Sequence, residues 1–293
     1  MRITNIQHFS LDDGPGIRTT VFFAGCNMRC LWCHNPENFE NIMLAYDSAN
    51  CTRCRNCKNI CEKDVHIFAG DSHYVNWKNC VKCLKCIDAC DNHALYQNSV
   101  EISEKELLYE IEQDRRFYER SSGGVTLSGG EPVLLKEDLK KILTECKGTG
   151  IHTAVETAGN YPFDQLEPLL ESIDLVIIDC KAYSEEIHKN CTGHTNKQIL
   201  FNIQRLSDIQ KKIWVRIPAI WNVNITFQEM EKIAVFLKGK RIEKVELLPY
   251  HKMGIQKYKL YGKAYSLNNA SPPDPKQLEQ CYNILKRYNI PIS

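Results

Sequence analysis

The chain has 293 residues, a formal net charge of +1, and 25% charged against 43% hydrophobic residues. Charges of both signs are spread throughout, which argues against a nucleic-acid or anionic-membrane footprint, and no apolar stretch reaches the length that spans a bilayer. Fifteen cysteines in a chain that opens without an apolar signal segment point to a reducing, cytoplasmic setting rather than to disulfides.

The first predicted strand is Arg18–Ala24, β-branched and aromatic, ending at Gly25. Cys26, Cys30 and Cys33 follow it at C-x3-C-x2-C spacing. Three thiolates for a cubane of four irons leave one iron free for a ligand that is not protein, as catalytic zinc sites keep one open position. Residues 46–97 then lack long periodic helices and carry eight cysteines. Cys51, Cys54, Cys57 and Cys61 read C-x2-C-x2-C-x3-C, and Cys80, Cys83, Cys86 and Cys90 repeat it. In the bacterial ferredoxin run of this spacing the fourth cysteine of each group serves the other cluster. That rule predicts Cys51, Cys54, Cys57 and Cys90 around one cluster, and Cys80, Cys83, Cys86 and Cys61 around the other. The usual proline after the fourth cysteine is replaced by Glu62 and Asp91. Zinc would favour tetrads divided by a longer loop. Cys146, Cys180, Cys191 and Cys281 are scattered and read as buried thiols.

Beyond the cysteines, helix and strand alternate. Ser103–Tyr118 is a predicted helix that opens on a Ser103/Glu106 capping box. Further strands are predicted at Val125–Ser128, Ile151–Glu156, Leu175–Asp179, Ile213–Ile217 and Lys244–Leu248. Helices are predicted at Lys136–Cys146, Lys197–Ile209, Phe227–Leu237 and Pro275–Tyr288. Six such units imply an α/β fold with a parallel sheet and right-handed crossovers, as a barrel short of eight strands or an open doubly wound sheet. Polar motifs gather at the strand ends, where parallel α/β folds build their sites. The three-cysteine run follows the first strand and Ser128-Gly-Gly-Glu-Pro132 the second. Glu156-Thr-Ala-Gly159 ends the third, and Asp179-Cys-Lys181 the fourth. Arg216 lies on the fifth strand, and Pro249-Tyr-His251 follows the sixth.

Four runs together resemble the radical S-adenosylmethionine (SAM) enzymes, and within them the activating enzymes of glycyl radical enzymes. They are Asp13-Gly-Pro-Gly-Ile-Arg18; Cys26 to Cys33 continuing into His34-Asn-Pro-Glu37; Gly129-Gly-Glu-Pro132; and Leu248-Pro-Tyr-His251 with Gly254, Lys257 and Tyr258. The paired cysteine groups resemble the subgroup with a ferredoxin-like insert. The resemblance implies a partial (β/α)6 TIM-type barrel over 1–45 and 98–293, with a two-cluster insert over 46–97. It implies three [4Fe–4S] clusters, one held by Cys26, Cys30 and Cys33 with SAM on its open iron. Gly129, Gly130 and Glu131 are then expected at the methionyl end. Lys181 and His251 are expected at the carboxylate and ribose, Arg216 on the anionic edge, and Trp32 near the adenine. Glu156, Thr157 and Asp179 match the positions of a monovalent cation site, and Asp13 matches the contact to the partner's glycine segment. The implied partners are a glycyl radical enzyme and, as electron donor, flavodoxin or ferredoxin, for a monomeric activase. Two rival functions are a radical enzyme modifying peptides or small molecules, and an electron-transfer protein whose clusters only relay charge. Taken singly, Asp13-Gly-Pro-Gly16 reads as a tight turn, Asp179 and Lys181 as an ordinary ion pair, and His251 as a surface histidine.

Overall fold

The computed structural model describes residues 1–292. Its strands are β1 (Arg2–Ser10), β2 (Arg18–Phe23), β3 (Leu44–Tyr46), β4 (His66–Ala69), β5 (Ser72–Val75), β6 (Leu95–Gln97) and β7 (Val100–Glu101). They continue as β8 (Gly124–Gly129), β9 (His152–Thr157), β10 (Leu175–Asp179), β11 (Ile213–Ala219) and β12 (Lys244–Pro249). Eight form one sheet in the order β12-β11-β10-β9-β8-β2-β1-β7. From β2 to β12 all neighbours are parallel, so the six predicted strands are the six parallel ones. The fold is α/β with a mainly parallel sheet.

These segments are strands because they are short and apolar, with helices on the outer face. Val125, Leu127, Val155, Ile178, Val215 and Val245 are fully buried. The covering helices bury apolar residues at helical spacing. Lys136–Gly148 contributes Leu139, Ile142 and Leu143; Lys197–Asp208 contributes Ile199, Ile203 and Leu206; Phe227–Leu237 contributes Met230, Ile233 and Ala234. Among the described residues no helix is long and apolar enough to cross a membrane.

Three departures from the expected elements have physical causes. The predicted helix Ser103–Tyr118 has its capping box but breaks at Asp114 into Glu104–Gln113 and Arg115–Ser121. Asp114 is drawn inward, its carboxylate accepting from Thr19 Oγ1 at 2.5 Å and lying 2.6 Å from His8 Nδ1. Strand β1, antiparallel to β2 and to the two-residue edge strand β7, is an addition whose mixed exposure hides any clean alternation. Between β9 and β10 the crossover is short, Phe163–Leu166 followed by a 3-10 turn at Glu167–Ser172 that includes Pro168.

Side chains cross the sheet's inner face. Arg216 on β11 donates to the carbonyl of Asp12, ahead of β2, although three strands lie between them. The Tyr258 hydroxyl, beyond β12, donates to the Cys33 carbonyl at 2.9 Å. The sheet therefore curls until the loops after its first and last parallel strands meet.

The cysteine-rich segment is tied at its two ends by antiparallel pairing of β3 with β6. Between them lie the β4–β5 hairpin and two short helices, Asn56–Ile60 and Lys85–Asp88. Its internal repeat extends to backbone shape. Arg53 and Lys82, Arg55 and Leu84, and Asp64 and His93 are counterparts, and all six have positive φ. Left-handed backbone at non-glycine residues is uncommon and costly.

Candidate functional site

Loops at the carboxyl ends of the parallel strands line a cleft of about 470 Å³ that opens to solvent. Cys26, Cys30 and Cys33 are the only cysteines lining it. Their loop is stitched to the end of β8: Gly130 N donates to Phe23 O at 2.8 Å, and Glu131 N to Gly25 O at 2.9 Å. A Cβ at Gly129 would collide with the Phe22–Phe23 backbone, and one at Gly130 with the Gly25 carbonyl. The glycine pair is thus required by strand-to-loop packing, a role the sequence did not reveal, while both residues also line the cleft.

Burial pushes the Cys26 thiol up to about 11 and the Cys33 thiol up to about 12, and raises Cys30 as well. Such thiols keep their protons in water and release them to solvent when a metal takes the sulfur. Three thiols lining one cleft, with no fourth cysteine there, are a suitable donor set for an iron–sulfur group with one protein-free corner. Cys191 lies beside this loop, its carbonyl accepting from Leu31 N at 2.9 Å, but its thiol points to Val223 O at 3.7 Å. Cys180, Cys146 and Cys281 are buried in the main core, as expected of scattered thiols.

Lys181 and Asp179 both line the cleft and form a close ion pair with each other. Burial alone would lower the Lys181 pKa, but the charge of Asp179, helped by Cys30, outweighs it and the ammonium is held firmly charged. Glu156 and Thr157 line the same wall. Ser128 Oγ donates to Glu156 Oε2 at 2.6 Å, and Arg216 pairs with Glu156 Oε1. A monovalent cation among Glu156, Thr157 and Asp179 would therefore have to displace Arg216 or Lys181 from its carboxylate.

Two expected contacts lie behind the wall instead of on it. Arg216 is 4% exposed and does not line the cleft. Its guanidinium is taken up by Glu156, by Glu246 at 2.9 Å and by Asp12 O. It braces the cleft by joining β9, β11 and β12 to the segment before β2. Glu131 is 1% exposed and also absent from the lining. It accepts from Thr157 Oγ1 at 2.7 Å, Ala158 N at 2.9 Å and Val133 N at 3.3 Å. Burial raises its pKa to about 7 against those hydrogen bonds.

Asp13 stands at the cleft mouth, its carboxylate accepting from Thr20 Oγ1 at 2.7 Å and its carbonyl from Thr126 Oγ1 at 2.6 Å. Trp32 forms part of the lining and is otherwise buried. The exposed His251 also lines the cleft, stacked on His34 with ring centroids 3.8 Å apart. His34, which lines the cleft too, carried no sequence signal beyond its place after Cys33.

The cysteine-rich segment holds two further cavities. One, about 540 Å³, is lined by Cys51, Cys54, Cys57 and Cys90; the other, about 580 Å³, by Cys61, Cys80, Cys83 and Cys86. This is the crossed partition that the ferredoxin spacing predicts. His73 lines the first cavity and His66 the second, and neither was singled out by sequence.

Comparison with known proteins gives a consistent picture. Residues 20–237 match the Radical SAM superfamily. The chain is 38% identical to the trans-4-hydroxy-L-proline dehydratase activating enzyme of Clostridioides difficile, over 98% of this chain and 97% of that one. It is 34% identical to the choline trimethylamine-lyase activating enzyme of Oleidesulfovibrio alaskensis, over 99% and 96%. Among solved structures, a domain of a pyruvate-formate lyase-activating enzyme from Bacteroides vulgatus is 30% identical, with a TM-score of 0.51 over 58% of this chain and 98% of that one. SuiB from Streptococcus suis, 12% identical with a TM-score of 0.59 over 99% of this chain and 49% of that one, shares the fold.

Proposed function

The chain belongs to the radical SAM superfamily, among the activating enzymes of glycyl radical enzymes, and from that membership we propose how its residues divide the work. The family implies a [4Fe–4S] cluster and SAM as cofactors and a glycyl radical enzyme as partner. When bound, the cofactors supply a 5′-deoxyadenosyl radical that takes a hydrogen atom from a glycine Cα of the partner. Cys26, Cys30 and Cys33 hold the cluster and leave one corner for SAM. The observation that carries this assignment is that these three cysteines, and no fourth, share the cleft with the strand-end motifs.

The remaining roles follow from placement. Lys181, kept cationic by Asp179, attracts the carboxylate of SAM. Gly129 and Gly130 offer backbone at the methionyl end, and Trp32 an apolar face for the adenine. His251, stacked on His34, closes the ribose side. Asp13 at the mouth meets the partner's glycine segment. Glu131 and Arg216 act as braces: the first ties the glycine loop to Thr157 and Ala158, the second holds Glu156 and the Asp12–Asp13 segment. A primary alkyl radical must be kept from water, and the partner seated over the open cleft would provide that cover.

Residues 46–97 form a ferredoxin-like insert with two further [4Fe–4S] clusters, in the crossed arrangement supported by the two four-cysteine cavities. The insert passes electrons from flavodoxin or ferredoxin to the SAM site. The enzyme works as a cytoplasmic monomer. The near full-length relatives, all activating enzymes, favour this function over a small-molecule radical enzyme and over a pure electron carrier.

Anaerobic reduction with SAM should yield 5′-deoxyadenosine and methionine, and adding the partner should produce a glycine-centred doublet by electron paramagnetic resonance. Cys30→Ala should bring cleavage down to background while the iron of the insert stays. Cleavage without any glycyl signal on a range of partners would favour the small-molecule function.

A further inference from the structure

Two buried histidines in the insert are used by nothing described so far. His66 lies on β4 and His73 on β5, 2% and 8% exposed. His73 is held flat against Phe68, its register partner across the hairpin, with ring centroids 4.3 Å apart and planes 6° from parallel. Tyr46 packs on it at 4.6 Å. In that pose His73 Nδ1 lies 3.4 Å from Cys51 Sγ, and His73 Nε2 lies 3.1 Å from His66 Nδ1. The two rings form a bridge between the cavities, His73 lining the first and His66 the second.

The internal repeat makes the pair conspicuous. His66 stands five residues after Cys61, and Leu95 five residues after Cys90, so the two are counterparts. Each lines one cavity, but Leu95 is apolar. A buried imidazole is costly unless its nitrogens are matched by hydrogen-bond partners. A ligating thiolate has no proton to give, and Cys51 Sγ lies nearer to His73 Nδ1, at 3.4 Å, than Cys57 Sγ does to Nε2, at 3.9 Å, so the geometry favours a proton on Nδ1 that is donated to Cys51. His73 Nε2 is then a lone pair and accepts from His66 Nδ1–H. His66 Nε2 is left unprotonated, and it is buried without a hydrogen-bond partner among the described residues.

Hydrogen bonds to cluster sulfurs stabilise the reduced, more negative state and raise the potential. The first cavity has such a donor, whereas His66 brings the second only a lone pair. We propose that His73, oriented by His66, is a positioning residue that donates to the Cys51 thiolate and makes the first cluster of the insert the higher-potential member of the pair. An electron entering the insert then rests at the Cys51 centre. The inference depends on the two-cluster assignment made above.

The test is potentiometric titration, followed by electron paramagnetic resonance, of the full chain carrying Cys30→Ala, so that only the insert centres report. His73→Phe should lower the midpoint of one centre, leave the other in place and narrow the gap between them. His66→Leu, which restores the repeat's own residue and keeps the Phe68 stack, should move the same centre in the same direction by less. It carries the test if His73→Phe loses iron. Equal shifts of both centres, or no shift, overturn the proposal. In the unsubstituted protein, about twelve irons per chain with unmoved potentials in the variants would sink this inference alone, whereas about four irons would sink the two-cluster assignment with it. Zinc held by Cys57, His66 and His73, whose ligand atoms lie within 4.8 Å of one another, would overturn both.

Discussion

Strands β8 to β12 bury Val125, Leu127, Val155, Ile177 and Val215 completely, under helices that add Leu139, Leu143 and Ile203. Of their apolar side chains, residues 46–97 bury only Val65, Ala94, Leu95 and two cysteines, and leave Ile67, Tyr74 and Val81 about half exposed. The same contrast holds in the backbone, because six non-glycine residues of the insert are left-handed in matched positions. The sheet is held by apolar area removed from water. Residues 46–97 have too little of it, and under the two-cluster assignment proposed above metal–sulfur bonds supply the rest. On that proposal a single chain contains one region whose shape precedes its cofactor and another whose shape depends on it.

The largest expected effect separates these regions directly. Stripping iron anaerobically should leave amide protons of β8 to β12 protected and release those of 46–97, since structural metal can supply about 10 kcal/mol of folding energy. Hydrogen exchange with mass spectrometry reads both at once, and equal loss of protection would remove the distinction. Next, Leu143→Ala should cost about 2–5 kcal/mol in chemical denaturation without loss of insert iron.

A third effect concerns the brace beneath the cleft. An acid whose folded pKa is raised, as Glu131's is from 4.5 to about 7, loses stability as pH climbs through that window and none beyond it. The total is up to about 3 kcal/mol. Glu131→Gln removes that slope, so the stability of the variant minus that of the wild type should grow from pH 5 to pH 8 in anaerobic urea titrations. A constant difference would assign the titration elsewhere. The smallest effect is Lys82→Ala, which breaks the exposed Lys82–Glu40 pair joining the insert to the segment after Cys33. It should cost less than about 1 kcal/mol by thermal unfolding.

Apolar runs and strand-end motifs made the parallel sheet legible in the sequence: Leu175–Asp179 and Phe227–Leu237 are as expected, and the other strands differ by one or two residues at their ends. Cysteine spacing likewise anticipated the crossed cavities, because ligand spacing is a local constraint. Direction of side chains is not. Arg216 lies midway along β11 and Glu131 just past the end of β8, yet both turn behind the cleft because carboxylates, hydroxyls and amides there satisfy them. The link between His66 and His73 was equally hidden. It arises from hairpin register and aromatic packing, which no lone histidine announces.

The Tyr258–Cys33 hydrogen bond joins residues 225 positions apart, and it is seconded by Lys257, which reaches Asn35 at 3.0 Å. The clasp over the three-thiol loop is therefore synthesised more than two hundred residues after the thiols themselves. Secure closure of that loop has to wait for this later segment, and a nascent chain halted after Pro249 would have every strand of the sheet and no latch over its thiols.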